Sequence, residues 1–294
     1  MQCRAEIIEG NAMVEYVQIN GAKLAYVISS TDASKPLFIT LHGGRGFGSH
    51  ESDYIAYSPL ANKYRILSFD YRGHGSSSST KPYTFHQLVE DIEGMRQHFT
   101  GNIDEFVLCG GSFGGYLAQQ YAITYPHHIS HLILRGTAPS HHHEEEAIKV
   151  LEKRLHKAPS LSVNQLKNKI FGRFESDEEF RLVMHAAAPL YSETFDADAA
   201  LSNTLRTMYF AESHNDLYSE REKYFDYRAD LKHIVARTLI IVGDQDWICP
   251  PKQSEIIASH IPGSRLEIFR GANHSVHHEK NEEVIRLIQD WVEE

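Results

Sequence analysis

The chain has 294 residues, enough for one large α/β domain with an insertion or for two small domains, and its 41% apolar and 23% charged residues are ordinary globular values. A formal net charge of -10 with no long basic run argues against a nucleic-acid partner, and no apolar stretch approaches the length of a membrane span. Met1 to Tyr16 carries Glu6, Glu9 and Glu15 and no continuous apolar core, so no secretory signal is expected, and three widely spaced cysteines (Cys3, Cys109, Cys249) in no metal-like spacing fit a reducing, cytoplasmic location.

In chain order, Val14 to Ile19 and Lys23 to Ser29 read as strands joined by an Asn20-Gly21 hairpin turn. Further short apolar runs follow at Leu37 to Leu41, Arg65 to Phe69, Phe106 to Cys109, Leu132 to Leu134, Leu239 to Val242 and Leu266 to Phe269, giving eight strands. Helical periodicity falls between several of them, at Phe85 to Phe99, Gly114 to Tyr125, Gln253 to His260 and Glu282 to Val292. Strands alternating with helices imply right-handed crossovers and a mostly parallel sheet covered on both faces, with the hairpin as an antiparallel edge. From Thr137 to about Arg228 the strand signals stop, and amphipathic helical stretches replace them at Glu144 to Lys157, Val163 to Phe171, Asp177 to Ala188 and Ala199 to Phe210. The expected organisation is a core of residues 1–136 and 229–294 with a helical cap inserted at 137–228. The triplet His141-His142-His143 reads as solvated loop histidines rather than a metal site.

The segment carrying most chemistry is Phe106 to Ala122, where an apolar strand runs into Gly110-Gly111-Ser112-Phe113-Gly114 and then into a helix. Gly-x-Ser-x-Gly in that context leaves room for a sharp turn that exposes Ser112, with a helix N-terminus behind it to favour developing negative charge. A serine hydroxyl is a weak nucleophile until a base takes its proton, so a histidine and an orienting acid are required. His274 lies in Gly271-Ala-Asn-His-Ser275, after the last strand and before the final helix, whereas His277 and His278 sit toward the helix start. For the acid, the loop after Leu239 to Val242 offers Asp244 and Asp246, and the spacing Gly243-x-x-Asp246-x-x-x-Pro250 selects Asp246. The preceding strand is followed by Arg135-Gly-Thr-Ala-Pro139, which has no carboxylate. Trp247 adjoins the acid, either beside the site or as core packing.

The order Ser112, Asp246, His274, with His42-Gly-Gly-Arg-Gly46 upstream, resembles the α/β-hydrolase superfamily over nearly the whole chain. His-Gly-Gly, Gly-Gly-Ser-Phe-Gly-Gly, a helical cap and the late Gly-x-x-Asp resemble its proline iminopeptidase branch (peptidase S33). Two positions depart from that branch: Arg45 stands where Pro is common, and Asp70-Tyr-Arg-Gly73 replaces Asp-Gln-x-Gly. The resemblance implies an α/β-hydrolase fold, an oxyanion hole from the backbone N–H groups of Gly44 and Phe113, and a structural turn at Arg72 to Gly75. It also implies carboxylates for a substrate ammonium group, which match Glu212 and Asp244. The expected function is a serine hydrolase that needs no cofactor or metal and cleaves an ester, lactone or amide of a small molecule or short peptide through an acyl-enzyme. A small-molecule esterase or lactonase, or a slow-turnover ligand receptor on the same fold, is the alternative. The pattern carries no signal for oligomeric state.

Overall fold

The computed structural model describes residues 13–101 and 105–294. Cys3 and the stretch before Met13 lie outside the described residues. All eight expected strands are present: β1 (Glu15–Ile19), β2 (Ala22–Ile28), β3 (Leu37–Leu41), β4 (Arg65–Phe69), β5 (Phe106–Gly111), β6 (Ile129–Arg135), β7 (Arg237–Gly243) and β8 (Arg265–Phe269). They form one sheet in the order β1-β2-β4-β3-β5-β6-β7-β8. The β1–β2 and β2–β4 pairs are antiparallel and every other pair is parallel. Asn20 and Gly21 take φ of 47° and 80°, the left-handed pair that a two-residue hairpin requires.

The helices are α1 (His50–Tyr57), α2 (Phe85–Thr100), α3 (Phe113–Thr124), α4 (His143–Arg154), α5 (Val163–Gln165), α6 (Asp177–Ala187), α7 (Ala197–Arg206), α8 (Ala211–Leu217), α9 (Pro251–His260), α10 (Val276–Glu279) and α11 (Asn281–Glu293). The central strands read as unbroken apolar runs because both faces are covered. Ile39, Leu41, Leu108 and Ile240 enter one cluster with Leu88, Ile92 and Leu117 from α2 and α3, while Phe38, Val107, Leu239 and Ile241 enter another with Tyr54, Tyr57, Ile288 and Trp291 from α1 and α11.

Helices α1, α8 and α10 lie where none was expected, and one expected helix ends early. No helix was expected at α1, because its buried face carries the polar residues His50 and Asp53 and so breaks the apolar periodicity. Both are paired in the interior, His50 with Asp70 at 2.8 Å and Asp53 with Arg135 at 2.9 Å. The helix expected at Ala199 to Phe210 ends instead at Arg206, and Phe210 is extended. Tyr209 forms a β-bridge with Phe47, and the Phe210 N–H donates to the Gly46 carbonyl at 2.7 Å. Tertiary pairing with the loop after β3 outweighs helix propensity there.

The chain leaves β3 toward β4 on one side and returns through β5 on the other. The ends of β3 and β5 therefore frame the crevice where ligands bind in open parallel sheets.

Candidate active site

Ser112 directly follows β5 with φ 52° and ψ −120°. Only Asn20 shares a positive φ among the described non-glycine residues, and Asn20 has its hairpin to explain it. Such a backbone costs about 1–3 kcal/mol and persists only when its surroundings hold it. Here the Ser112 N–H donates to the Arg135 carbonyl (2.9 Å), while the Ser112 carbonyl accepts from the Gly115 N–H (2.9 Å) and the Thr137 hydroxyl (2.8 Å). The glycines at 110 and 114 are steric necessities: a Cβ on Gly110 would run into the Gly114 carbonyl, and one on Gly114 into the carbonyl of Leu41 at the end of β3.

Asp246 follows β7 and His274 follows β8, and the structure brings them together. Nδ1 of His274 lies 2.8 Å from Oδ2 of Asp246. A carboxylate only accepts, so Nδ1 carries the proton and Nε2 presents a lone pair. The other oxygen, Oδ1, accepts from the N–H groups of Ile248 (3.1 Å) and Cys249 (2.9 Å), so Asp246 is pinned on both sides and buried. Gly136, at the position without a carboxylate, has φ 48°, and a Cβ there would stand 3.0 Å from Asp246 Oδ2 and 3.4 Å from His274 Nδ1. No hydrogen bond joins the Ser112 hydroxyl to the ring among the described residues. Such contacts are commonly loose without substrate.

The His274 loop is tied to the helices inserted between β6 and β7. The Asn273 side chain accepts from the His274 N–H (2.8 Å) and donates to the Leu190 carbonyl (2.9 Å) and to Glu193 (2.8 Å). Glu193 also pairs with Lys157 at 2.9 Å, and Arg154 donates to the Gln245 carbonyl at 2.6 Å, next to the acid.

The loop after β3 lies against the elbow. A Cβ on Gly43 would approach Ser112 Cβ to 3.1 Å, and Gly44 has φ 89°. The Gly44 N–H makes no backbone hydrogen bond among the described residues, and Phe113, as the first residue of α3, has no intrahelical acceptor. Two N–H groups flanking Ser112 are thus left to donate elsewhere.

His74, expected only as part of a structural turn, holds this loop. Its Nδ1–H donates to the Arg72 carbonyl (3.1 Å), and Nε2 accepts from the Gly46 N–H (2.7 Å). Burial pushes its pKa down to about 3, which keeps Nε2 an acceptor. Nothing in the sequence marked that long-range bond, although Gly73-His74-Gly75 showed that the turn was tight.

The remaining sequence candidates divide. Trp247 is wholly buried, its ring 5.3 Å from Tyr191, whose own ring is 5.6 Å from that of His274. Asp244 accepts from the Gly271 N–H at 2.8 Å and ties the β7 and β8 loops together. The Glu212 side chain is 64% exposed and paired with Lys81 at 2.9 Å, so the structure does not bring it among the buried groups around Ser112. In the histidine triplet, His143 is buried rather than solvated: its Nδ1–H donates to the Ser140 carbonyl (3.0 Å), and Nε2 accepts from the Tyr116 hydroxyl (3.0 Å). Surface clefts at Ser34, Lys35, Arg65 and Glu105 and at Pro159, Leu182, His185 and Phe195 share no residue with this site.

A helix-backed serine after β5, a buried Asp–His pair after β7 and β8 and a glycine loop after β3 form a set of groups that fits a hydrolase. Residues 36–281 match the family described as alpha/beta hydrolase fold, and the chain belongs to that family. Proline iminopeptidase PfmaB of Pestalotiopsis fici is 62% identical over 281 residues, spanning 96% of this chain and 100% of the relative. A proline iminopeptidase of Saccharolobus solfataricus is 26% identical over 95% of this chain and 92% of its own length. Among solved structures, proline iminopeptidase from Mycobacterium smegmatis superposes with a TM-score of 0.73 at 18% identity, covering 95% of this chain and 97% of the other, a likeness of fold. The chain is thus a proline iminopeptidase-like α/β-hydrolase. No helix among the described residues is long and apolar enough to cross a membrane.

Proposed function

We propose that the chain removes an N-terminal residue, proline foremost, from a short peptide or similar small molecule through an acyl-enzyme. The observation that carries the chemistry is the 2.8 Å bond from His274 to buried Asp246, at the strand ends beside the strained Ser112. Ser112 attacks the carbonyl, and His274 Nε2 takes its proton and returns it to the leaving amine. His274 then activates water for deacylation. Asp246 keeps the ring in the Nδ1–H tautomer. The Gly44 and Phe113 N–H groups receive the oxyanion, each lowering the barrier by about 3 kcal/mol. Residues 137–228 act as a cap over the core of residues 1–136 and 229–294, and the buried free thiols of Cys109 and Cys249 suit a cytoplasmic site of action. The test is turnover of prolyl p-nitroanilide together with fluorophosphonate labelling. Both activities should vanish in Ser112→Ala with folding retained, and labelling elsewhere than Ser112 would refute the assignment.

A second reading, hydrolysis of an ester or lactone, is favoured by the exposure of Glu212, which leaves an ammonium group without the acid that the peptidase reading assigns to it. Under the peptidase reading Glu212→Gln raises KM for free-amine substrates. Under the ester reading it leaves KM unmoved, and acyl esters outrun aminoacyl anilides.

A further inference from the structure

Arg45 occupies the position where the sequence departs from its family pattern, immediately after Gly43-Gly44. Its side chain turns inward and the residue is only 4% exposed. Guanidinium does not deprotonate in proteins, so this burial places a full positive charge inside the molecule. Its one hydrogen bond among the described residues is from Nη1 to the Leu217 carbonyl, at a long 3.5 Å, and Nη2 is buried without any partner.

Aromatic rings surround the cation. Its central carbon lies 4.0 Å from the Tyr218 ring centroid, 5.2 Å from Phe85, 5.4 Å from Tyr116 and 5.6 Å from both Phe113 and Phe225. Ring faces attract a cation but do not accept its in-plane N–H groups as an oxygen does. Glu144, whose carboxyl is lowered by this charge and raised more strongly by burial, forms no ion pair with it, and its Oε1 is buried without a partner among the described residues. A charge kept in this condition is retained against a cost that a neutral side chain would avoid.

The position ties the cation to the reaction. Phe113 and Tyr116 are the first and fourth residues after Ser112. The Arg45 backbone is fixed by His214, whose ring nitrogen Nδ1 lies 3.0 Å from the Arg45 carbonyl, and by the pinning of Gly46 on both of its polar groups. The free edge of a planar guanidinium fits the two oxygens of a carboxylate.

We propose that Arg45 is a specificity-determining residue that binds a carboxylate carried by the substrate within one helical turn of Ser112. This rests on the serine-hydrolase reading and narrows its substrate class to acids. The Leu217 carbonyl and the Tyr218 ring lie nearest the guanidinium, and the substrate carboxylate takes their place as its main partner.

The experiment compares wild type, Arg45→Lys and Arg45→Gln on two esters of equal acyl length: the p-nitrophenyl monoester of glutaric acid and p-nitrophenyl pentanoate. Removal of the charge should lower kcat/KM for the glutarate ester on the order of 100-fold more than for the pentanoate ester, with Arg45→Lys between the two. Equal losses on both esters would overturn the proposal and make Arg45 a latch for the helical insertion. A second measurement needs no turnover: glutarate, but not glutaramide, should raise the Tm of the Ser112→Ala protein, and the shift should vanish in Ser112→Ala/Arg45→Gln. A glutarate shift that persists without Arg45, or no shift at all, also refutes the carboxylate site. Arg45-dependent binding of glutarate with neither ester hydrolysed would instead refute the hydrolase reading while the anion site stands.

Discussion

Three wholly buried histidines, His74, His143 and His214, have their pKa pushed by burial from 6.5 down to about 3. In the folded protein they stay neutral through the mildly acidic range, whereas in the unfolded chain each takes a proton below about pH 6.5. Unfolding therefore takes up protons in that window, and each ring withdraws about 1.4 kcal/mol of stability per pH unit as pH falls. Glu144 works the other way. Burial raises its carboxyl from 4.5 to about 7, so its contribution is fully present below 4.5 and lost as pH rises through 7. Acidification restores about 1.4 kcal/mol per pH unit from this group.

From pH 6.5, where the unfolded rings are half protonated, to pH 5 the three rings together remove about 5 kcal/mol and Glu144 returns about 2, a net loss of about 3 kcal/mol. That is a large share of the 5–15 kcal/mol typical of a folded domain. Urea unfolding at pH 7, 6 and 5, followed by tryptophan fluorescence, should show the midpoint falling steeply. His143→Gln, which can keep one bond toward Tyr116 or Ser140, should flatten the slope by about 1.4 kcal/mol per pH unit. General charge predicts the opposite sign, because acidification takes the net charge of -10 toward zero and relieves self-repulsion. A midpoint that is constant or rises from pH 7 to 5 would refute the buried neutral histidines.

Asp246→Asn should lower kcat on the order of 10³- to 10⁴-fold, because an amide at this position can hold the wrong histidine tautomer, whereas Asp244→Asn should cost less than about tenfold. A reversed ranking in steady-state kinetics would move the acid to Asp244. Gly44→Ala places a Cβ 2.5 Å from the Phe47 carbonyl at φ 89°, so the loop must shift and take its N–H with it. The expected result is a fall in kcat on the order of 100-fold with a smaller change in KM, and an unchanged kcat would remove Gly44 from the oxyanion hole.

What the sequence made legible follows from where the physics is local. Most strands are short runs rich in apolar and β-branched residues, several of them closed by turn residues such as Asn20-Gly21 after β1, Gly136 after β6 and Gly243 at the end of β7, and Ser112 sits in a motif whose glycines are required by contacts with the same chain segment or the adjoining strand. Asp246 and His274 were separable from Asp244 and His277 because each follows a strand at a countable spacing. The helix at α1 was hidden because two of its inward residues, His50 and Asp53, are polar and find partners far along the chain, and the end of α7 because a bridge between Tyr209 and Phe47 decides it. The ammonium-binding role given to Glu212 rested on a family pattern alone, and a surface lysine nearby was enough to give that carboxylate another partner.

Arg45 illustrates the same limit from the other side. In the sequence it is a single substitution in a glycine loop, and an arginine in a loop is ordinarily solvated. Its meaning depends on Tyr218 and Phe225, which lie more than 170 positions away and enclose it, and on the missing acceptor for Nη2. Neither enclosure nor a missing partner has a local sequence signature, since both are properties of what several distant segments jointly fail to supply. A family pattern therefore points to a reaction at Ser112, while on the proposal made above the side chain that departs from the pattern carries the information about what is brought to it.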